Sequence, residues 1–465
     1  MLYTQAVKPL NFNIIETFPM TQQLLLPEWV VPVIPHGLVL TKHAIAIDQN
    51  GLIEAVLPID QALERYANWQ RVDLPGQVVT PGLINLHTHA AMSLLRGAAD
   101  DLPLERWLND RIWPLEGKLL SEDFVFDGSV LAIREMLLGG TTTFNDMYFF
   151  QEATAKAALA MGIRANLSVA VLEFPTPYGS SSADYLRKGL AVRDQFRGES
   201  KLSFSLAPHA PYSVSDETFK QIAHLSGELG LGIHCHIHET TSEIAQSVAQ
   251  HGMRPIARLD QLGVIGSELI AAHCVHMSGS EIELFAKHGV TIAHCPHSNL
   301  KLASGIAPVA ALLEQGVRIG IGTDGSASNN RLDLLSEGRC AALLAKGASQ
   351  NAQIMNAAQT LAAMTIHAAQ ALGLSDQIGS IESGKCADLV SFDLSDLSTQ
   401  PVFDPIAQLI FATGREQVDS VWIKGRPVVL KRQLVEASAQ RVLAEVTPRL
   451  SLWHNRAGEI LSAAA

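Results

Sequence analysis

The chain is short of charge and of cysteine, and each shortage excludes something. Charged residues make up only 17% of the 465 positions and apolar ones 47%, which excludes a disordered chain and leaves material for a large core. Positive charge is scarcer still: 34 Lys and Arg stand against 46 Asp and Glu, a formal charge of −12. Such a chain lacks the basic footprint of nonspecific nucleic-acid binding. Five scattered cysteines, an odd number, make no disulfide framework and suit a reducing compartment, so a cytoplasmic location is expected. Glycine and proline are ordinary, which removes collagen-like and low-complexity classes. No apolar run looks able to cross a membrane. Leu24 to Leu40 is interrupted by Pro27, Glu28, Pro32, Pro35 and His36, whereas a spanning helix needs about 20 apolar residues. The first residues lack a basic segment followed by an apolar core and a small-residue cleavage site, so no secretory signal is expected. Strand-like patterning begins only after Met20, which makes Met20 a candidate start. What the chain does have in quantity is histidine, 17 in all, and the histidines are clustered.

Length allows about three domains, but an α/β barrel can run to about 250 residues as one. Near the start, Leu38–Leu40, Ala44–Ile47 and Leu52–Val56 read as short strands separated by the turn Asp48-Gln49-Asn50-Gly51. Ala387–Asp393 and Ser420–Gly425 have the same texture near the other end. The simplest arrangement is one small β-sandwich built from both termini (residues 1–80 and 376–465, the latter with a terminal helix) around a central domain, residues 81–375. The centre alternates apolar runs with Ala-, Leu- and Glu-rich helical stretches. The runs are Gly82–Leu86, Thr141–Phe144, Ala165–Leu172, Leu202–Ala207, Gly232–Ile237, Leu269–Cys274, Thr291–Ala293 and Arg318–Gly322. Eight such repeats predict an α/β fold of the (β/α)8 TIM-barrel type, with a doubly wound sheet as the competing architecture. The placement of polar residues after the runs favours the barrel, because barrel active sites lie at the C-terminal ends of the strands.

The first run leads into His87-Thr88-His89, two imidazoles on one strand face. Alone, the pair reads equally well as a metal site or as two unrelated strand-end histidines. The fifth run contains His234-Cys235-His236-Ile237-His238-Glu239, the sixth ends at His273-Cys274-Val275-His276, and the eighth is followed by Thr323-Asp324-Gly325. Chance supplies one such strand end, not four in a pattern of eight. Imidazole and carboxylate donors suit zinc or iron, so a catalytic metal is expected. The ordinary reading of His234, His238, His276, His294 and His297 is packing, or hydrogen bonding behind the ligands.

This array resembles the amidohydrolase superfamily over nearly the whole chain, split β-sandwich included. The resemblance implies His87, His89, His236 and Asp324 as metal ligands. The fourth run ends at Ala207-Pro208-His209, with Lys201 only at its start, so the bridging lysine of binuclear members is missing and a single zinc ion (or iron) is implied. His234 shares a face with His236; the family spacing to Glu239 selects His236. Glu239 then reads as the proton shuttle and His273 as the residue that orients the attacking water, as in the deaminase branch. Two segments, His87 to Gly97 and Trp107-Leu108-Asn109-Asp110-Arg111-Ile112-Trp113-Pro114-Leu115-Glu116, are similar to the 5-methylthioadenosine/S-adenosylhomocysteine deaminase group. From that likeness Glu116 accepts the ribose hydroxyls, Trp107 lines the pocket, and His209, Glu239 and Asp324 contact substrate. A carboxylate is a good acceptor for two adjacent hydroxyls, although without the likeness Glu116 reads as a solvated helix-end charge. Cys295 to Leu302 is similar to a less specific superfamily signature.

The activity implied is hydrolytic deamination at C6 of a small-molecule adenine nucleoside, with catalysis by Glu239, His273 and Asp324. The segment Glu173 to Gly179 is apolar and aromatic with one acid and no arginine, which favours methylthioadenosine over S-adenosylhomocysteine. Guanine deaminase or triazine chlorohydrolase chemistry is the alternative on this scaffold, and a barrel-type binding protein with a vestigial metal site is the alternative outside it. The chain lacks the P-C-x-x-C element of the unrelated zinc nucleobase deaminases. No nucleic-acid or membrane partner is expected, and a homo-oligomer is.

Overall fold

The structure is a computed structural model that describes residues 20–463. The expectations about a secretory signal fall on residues outside that range. All eight apolar runs of the centre are strands: Leu83–Thr88, Thr141–Tyr148, Arg164–Val171, Leu202–Pro208, Gly232–Ile237, Leu269–His273, Thr291–His294 and Arg318–Ile321. They pair in sequence order, each parallel to the next, and helices between them form the outer layer. Strands covered on both faces carry apolar residues at successive positions, which is why they were visible as continuous runs. The second strand differs from expectation. It continues past Phe144 through Asn145-Asp146-Met147-Tyr148, all buried. The polar pair ends the apolar run without ending the strand, because these side chains turn into the barrel interior and the mouth.

Glycine lets the last strand come against the first. A side chain at Gly320 would lie 2.4 Å from Leu86 Cδ2, and one at Gly322 would lie 2.7 Å from His87 Cβ. Above them the Asp324 N–H donates to the His87 carbonyl at 2.9 Å and the Thr323 N–H to Asn85 Oδ1 at 3.0 Å. The closure of the barrel thus involves the backbone of two candidate site residues, His87 and Asp324.

Both termini build one further β unit, a mixed sheet. Its centre is the long strand Gln70–Pro81, parallel to Gln23–Val30 on one side and antiparallel to Leu389–Asp393 on the other. His43–Ile47 and Ile53–Pro58 continue it on the first side, and Val418–Ile423, Arg426–Leu430 and Gln433–Leu434 on the second. The sheet curls until Gly425 (φ +71°) meets Gly51 and Ile47 from the opposite half. Leu25, Ile45, Ile47, Ile53, Leu389 and Trp422 form the apolar cluster inside it. A buried ion pair ties this unit to the barrel: Arg164 grips Asp388 with two bonds, Nε–Oδ2 at 3.0 Å and Nη2–Oδ1 at 3.2 Å. The two-pronged geometry fixes orientation, and loss of one partner would leave a buried charge uncompensated. The last helix, Leu450–Ala463, returns to pack on Trp113–Leu119. Its Trp453 indole donates to Asp127 at 2.8 Å. Among the described residues no helix is long and apolar enough to cross a membrane.

Candidate active site

The polar strand ends converge at the barrel mouth. His87 Nε2 lies 3.4 Å and His89 Nε2 3.2 Å from Asp324 Oδ1. His236 Nε2 faces His89 Nε2 at 3.3 Å. His273 completes a second donor group with His87 and His236. His234, the competitor for the strand-five position, lies beneath His87 and not beside His89, with Nε2 2.8 Å from His87 Nδ1.

The tautomers show what this cluster is suited to hold. His89 donates its Nδ1–H to the Met147 carbonyl at 2.6 Å, His236 donates to the His209 carbonyl at 2.8 Å, and His273 donates to Asn299 Oδ1 at 2.8 Å. Each Nε2 therefore keeps a lone pair, and two of those lone pairs confront each other across 3.3 Å. His87 Nε2 is buried with no hydrogen-bond partner. Lone pairs aimed at one another without an intervening proton repel, so the arrangement fits a cation between them, and three imidazoles with a carboxylate are a zinc-type donor set. No lysine lines the cavity among the described residues, and Lys201 instead reaches the Gly162 carbonyl at 3.3 Å.

Asp324 is held rigidly. Its Oδ2 accepts the hydroxyls of Ser298 at 2.6 Å and Ser328 at 2.8 Å, and its Oδ1 accepts the Gly325 N–H at 2.7 Å. Burial opposes ionisation of this carboxyl, but the imidazoles of His87, His89 and His273 that face it outweigh burial and hold the group well below the ordinary carboxylate range. Burial pushes the Glu239 carboxyl up, with His273 opposing the shift, so this group can hold a proton. Glu239 Oε2 stands 3.7 Å from His273 Nε2. Its position is set from behind by Glu243, whose carboxylate accepts the N–H groups of His238 at 3.0 Å and Glu239 at 2.9 Å. His238 (φ +54°), His273 (+71°), Cys274 (+47°) and Asp324 (+60°) all adopt the left-handed region, each at a cost of about 1–3 kcal/mol that the surrounding bonds offset.

The other wall of the cavity is helical. Leu104–Trp107, a π-helical turn at Leu108–Ile112, and Trp113–Leu119 lay Leu104, Trp107, Leu108, Ile112 and Trp113 along it, with Glu116 its one acid. Wide turns of this kind recur at functional sites. The Trp107 indole donates to the Ala99 carbonyl at 3.1 Å, which fixes the ring. Glu116 is buried, not the solvated helix-end charge that an isolated reading gives it. It accepts the Tyr148 hydroxyl at 2.6 Å, and burial pushes its carboxyl up to about 7. His209 also lines the cavity. Its Nδ1 is 2.8 Å from Ser213 Oγ, and burial, aided by the neighbouring histidines, lowers it to about 3, so the ring is neutral. The cavity opens to solvent between the polar strand ends on one side and the apolar helical wall on the other.

All nine candidate residues thus meet in or immediately beneath one cavity. The sequence reading missed Tyr148, Ser298, Ser328, Asn299 and Glu243. Glu243 had a local signal, since Thr240-x-x-Glu243 has the spacing of a helix cap. Tyr148 had none, because its partner lies 32 positions earlier. Of the remaining histidines, His297 Nδ1 bonds Glu337 at 2.8 Å and His276 Nε2 bonds the Ser304 carbonyl at 2.7 Å, both outside the donor cluster.

The profile of the amidohydrolase family matches residues 78–428. The chain belongs to the amidohydrolase family. This amidohydrolase is 43% identical over 433 residues to the 5-methylthioadenosine/S-adenosylhomocysteine deaminase of Teredinibacter turnerae, covering 92% of this chain and 96% of that one. It superposes with a TM-score of 0.91 on the crystal structure of an adenosine deaminase from Xanthomonas campestris with bound zinc, at 46% identity, covering 94% and 99% of the two chains. A zinc complex of atrazine chlorohydrolase from Arthrobacter aurescens shares the fold at a TM-score of 0.84 and 26% identity, covering 92% and 100%.

Proposed function

We propose that this amidohydrolase deaminates adenosine-type nucleosides at C6 of the purine, giving the inosine derivative and ammonia, with one zinc ion held by His87, His89, His236 and Asp324. Iron is the other ion these donors suit. The observation that carries the reading is that one cavity joins a protonatable carboxyl, Glu239, beside the His/Asp cluster, to a second buried carboxyl, Glu116, on the helical wall. Adenine deamination needs the first to protonate the ring, and a ribose diol needs an acceptor such as the second.

A bound zinc ion makes hydroxide available at neutral pH. Asp324, its carboxylate oriented by two hydroxyls on Oδ2, would take a proton from the attacking water. His273, its Nδ1–H committed to Asn299, offers Nε2 to orient that water. Glu239 gives a proton to N1, which makes C6 electrophilic; the proton held by Asp324 then passes to the leaving amine, and the proton of the new C6 hydroxyl returns to Glu239. Glu116 accepts the ribose hydroxyls, and Trp107 excludes water from the base.

The preferred 5′ substituent is small and apolar. Among the described residues no Lys or Arg lines the cavity. Beyond the third barrel strand, Phe174 packs edge-on against Trp113 at 5.5 Å, and Glu173 is engaged by the hydroxyls of Ser215 and Thr218. Arg187 pairs with Asp184 on the surface. An amino-acid tail would shed hydration here without gaining a cationic partner. Methylthioadenosine is therefore expected to have a higher kcat/KM than S-adenosylhomocysteine when both are followed by ultraviolet absorbance, with guanine and a chlorotriazine as controls. A clear preference for S-adenosylhomocysteine overturns the specificity, and turnover of a control alone overturns the reaction.

A further inference from the structure

Three of the four histidines around the donor cluster rest their Nδ1–H on an oxygen that can only accept: the carbonyls of Met147 and His209 and the amide oxygen of Asn299. His87 is the exception. Its Nδ1 faces another imidazole, His234 Nε2, at 2.8 Å, with the rings perpendicular and both fully buried. One proton lies between two nitrogens, and either can own it.

The choice is made one step further down. His234 Nδ1 has two neighbours, Asn145 Nδ2 and Ser168 Oγ, each at 3.2 Å. Asn145 Nδ2 is held as a donor because it already serves the Leu86 carbonyl at 2.9 Å, while its oxygen accepts from Asn166 at 2.7 Å. If Asn145 donates to His234, then His234 donates to His87 and the remaining proton of His87 sits on Nε2, pointing at Asp324. If Ser168 accepts from His234, then His87 donates from Nδ1 and Nε2 presents a lone pair. Ser168 can do this, because its own proton has outlets at Asn145 Oδ1, 3.1 Å, and Ser205 Oγ, 2.7 Å. Neither arrangement changes the net charge. Only the second lets His87 bind a metal.

We propose that His234 and Ser168 are positioning residues that select the metal-binding tautomer of His87. This rests on the metal reading above, since a tautomer with a free Nε2 matters only if His87 is a ligand. His234 accepts the Nδ1–H of His87, Ser168 accepts the Nδ1–H of His234, and Asn145 is the donor that favours the alternative. Zinc affinity at the barrel mouth is thereby set by hydroxyl and amide groups in the barrel interior that never touch the ion.

The test is zinc affinity by chelator competition on the purified full chain, alongside the melting temperature of the metal-free protein. Ser168→Ala removes the acceptor and leaves Asn145 in control. His234→Leu removes the whole relay. Each is expected to weaken zinc by about 10–100-fold, the range for partners behind metal ligands. His234→Gln, whose amide oxygen can accept from His87, is expected to restore most of the affinity lost in His234→Leu. Unchanged affinity in Ser168→Ala, a change of one oxygen atom that leaves the packing in place, overturns the proposal. Equal losses in His234→Leu and His234→Gln, tracking equal losses in metal-free melting temperature, overturn it as well by reducing His234 to a packing role. A wild-type chain that binds no zinc or iron, with Asp324→Ala indistinguishable from it, instead overturns the metal reading itself, and this proposal with it.

Discussion

The strand-end wall and the helical wall of the cavity hold their polar atoms in different ways. On the strand-end side every functional group has a partner behind it: Met147, His209 and Asn299 behind three histidines, Ser298 and Ser328 behind Asp324, Glu243 behind Glu239. On the helical side one carboxyl, Glu116, stands among leucines and tryptophans with a single hydroxyl for company. The strand ends are rigid because neighbouring strands share a register, so a bond across strands can be placed to a fraction of an ångström. The helical wall contributes shape and one acceptor. On the proposed function, chemistry falls to the wall whose geometry the barrel fixes, and substrate selection to the helical wall.

The difference can be broken most severely at the strand ends. His236→Ala or Asp324→Ala is expected to lose most of the bound metal and nearly all turnover; either variant retaining full metal and full rate would remove that residue from the donor set. Glu239→Gln separates proton transfer from metal binding. Metal content should stay, while kcat falls by about 10²–10⁴-fold. Loss of metal there would make Glu239 a ligand, and unaltered turnover would mean that another group protonates the purine.

The helical wall should give smaller and more selective effects. Glu116→Ala is expected to reduce kcat/KM for ribonucleosides by roughly tenfold to a hundredfold, the value of a hydrogen bond to a charged group, and to leave a 2′,3′-dideoxy analogue little affected. Equal losses for both would place Glu116 away from the sugar. The smallest effect is on stability. Burial raises the Glu116 carboxyl from 4.5 to about 7. Between those values the folded protein keeps a proton that the unfolded chain has released, so this group lowers stability progressively as pH climbs through that window. Glu116→Gln removes its share of the slope, and its melting temperature should gain on the wild type as pH rises from 4.5 to 7. No relative gain would mean that Tyr148 and nearby positive charge keep Glu116 ionised throughout.

The barrel was legible because parallel strands buried on both faces leave uninterrupted apolar runs, and the candidate donor positions were legible because they lie at the ends of those runs. What escaped was whatever depends on a contact between runs. Asn145 and Asp146 look like a strand end in one dimension; in three they face the barrel interior and the loop after His89, where Asp146 accepts the Ala90 N–H at 2.7 Å. Ser298 and Ser328 carry no local sign that they converge on one carboxylate oxygen. The family resemblance, through the spacing to Glu239, selects His236 over His234; in the structure His236 Nε2 lies 3.3 Å from His89 Nε2, while His234 Nε2 faces His87 Nδ1 at 2.8 Å. Glu116 shows the reverse case, a residue whose isolated reading is a surface charge and whose burial follows only from how the helical wall folds over the mouth.

The strand Gln70–Pro81 runs directly into the first barrel strand, yet one of its two neighbours is Leu389–Asp393. On the ribosome that edge stays open while the entire barrel is made, and the first barrel strand likewise waits for the eighth. Neither sheet can close on a partial chain, so a stalled or prematurely terminated product presents two unpaired edges beside apolar surface, the combination that invites edge-to-edge aggregation. Synthesis of this protein should therefore depend on chaperone shielding until its last strands emerge, and shortening the C-terminal end should cost soluble yield well before it touches any residue of the cavity.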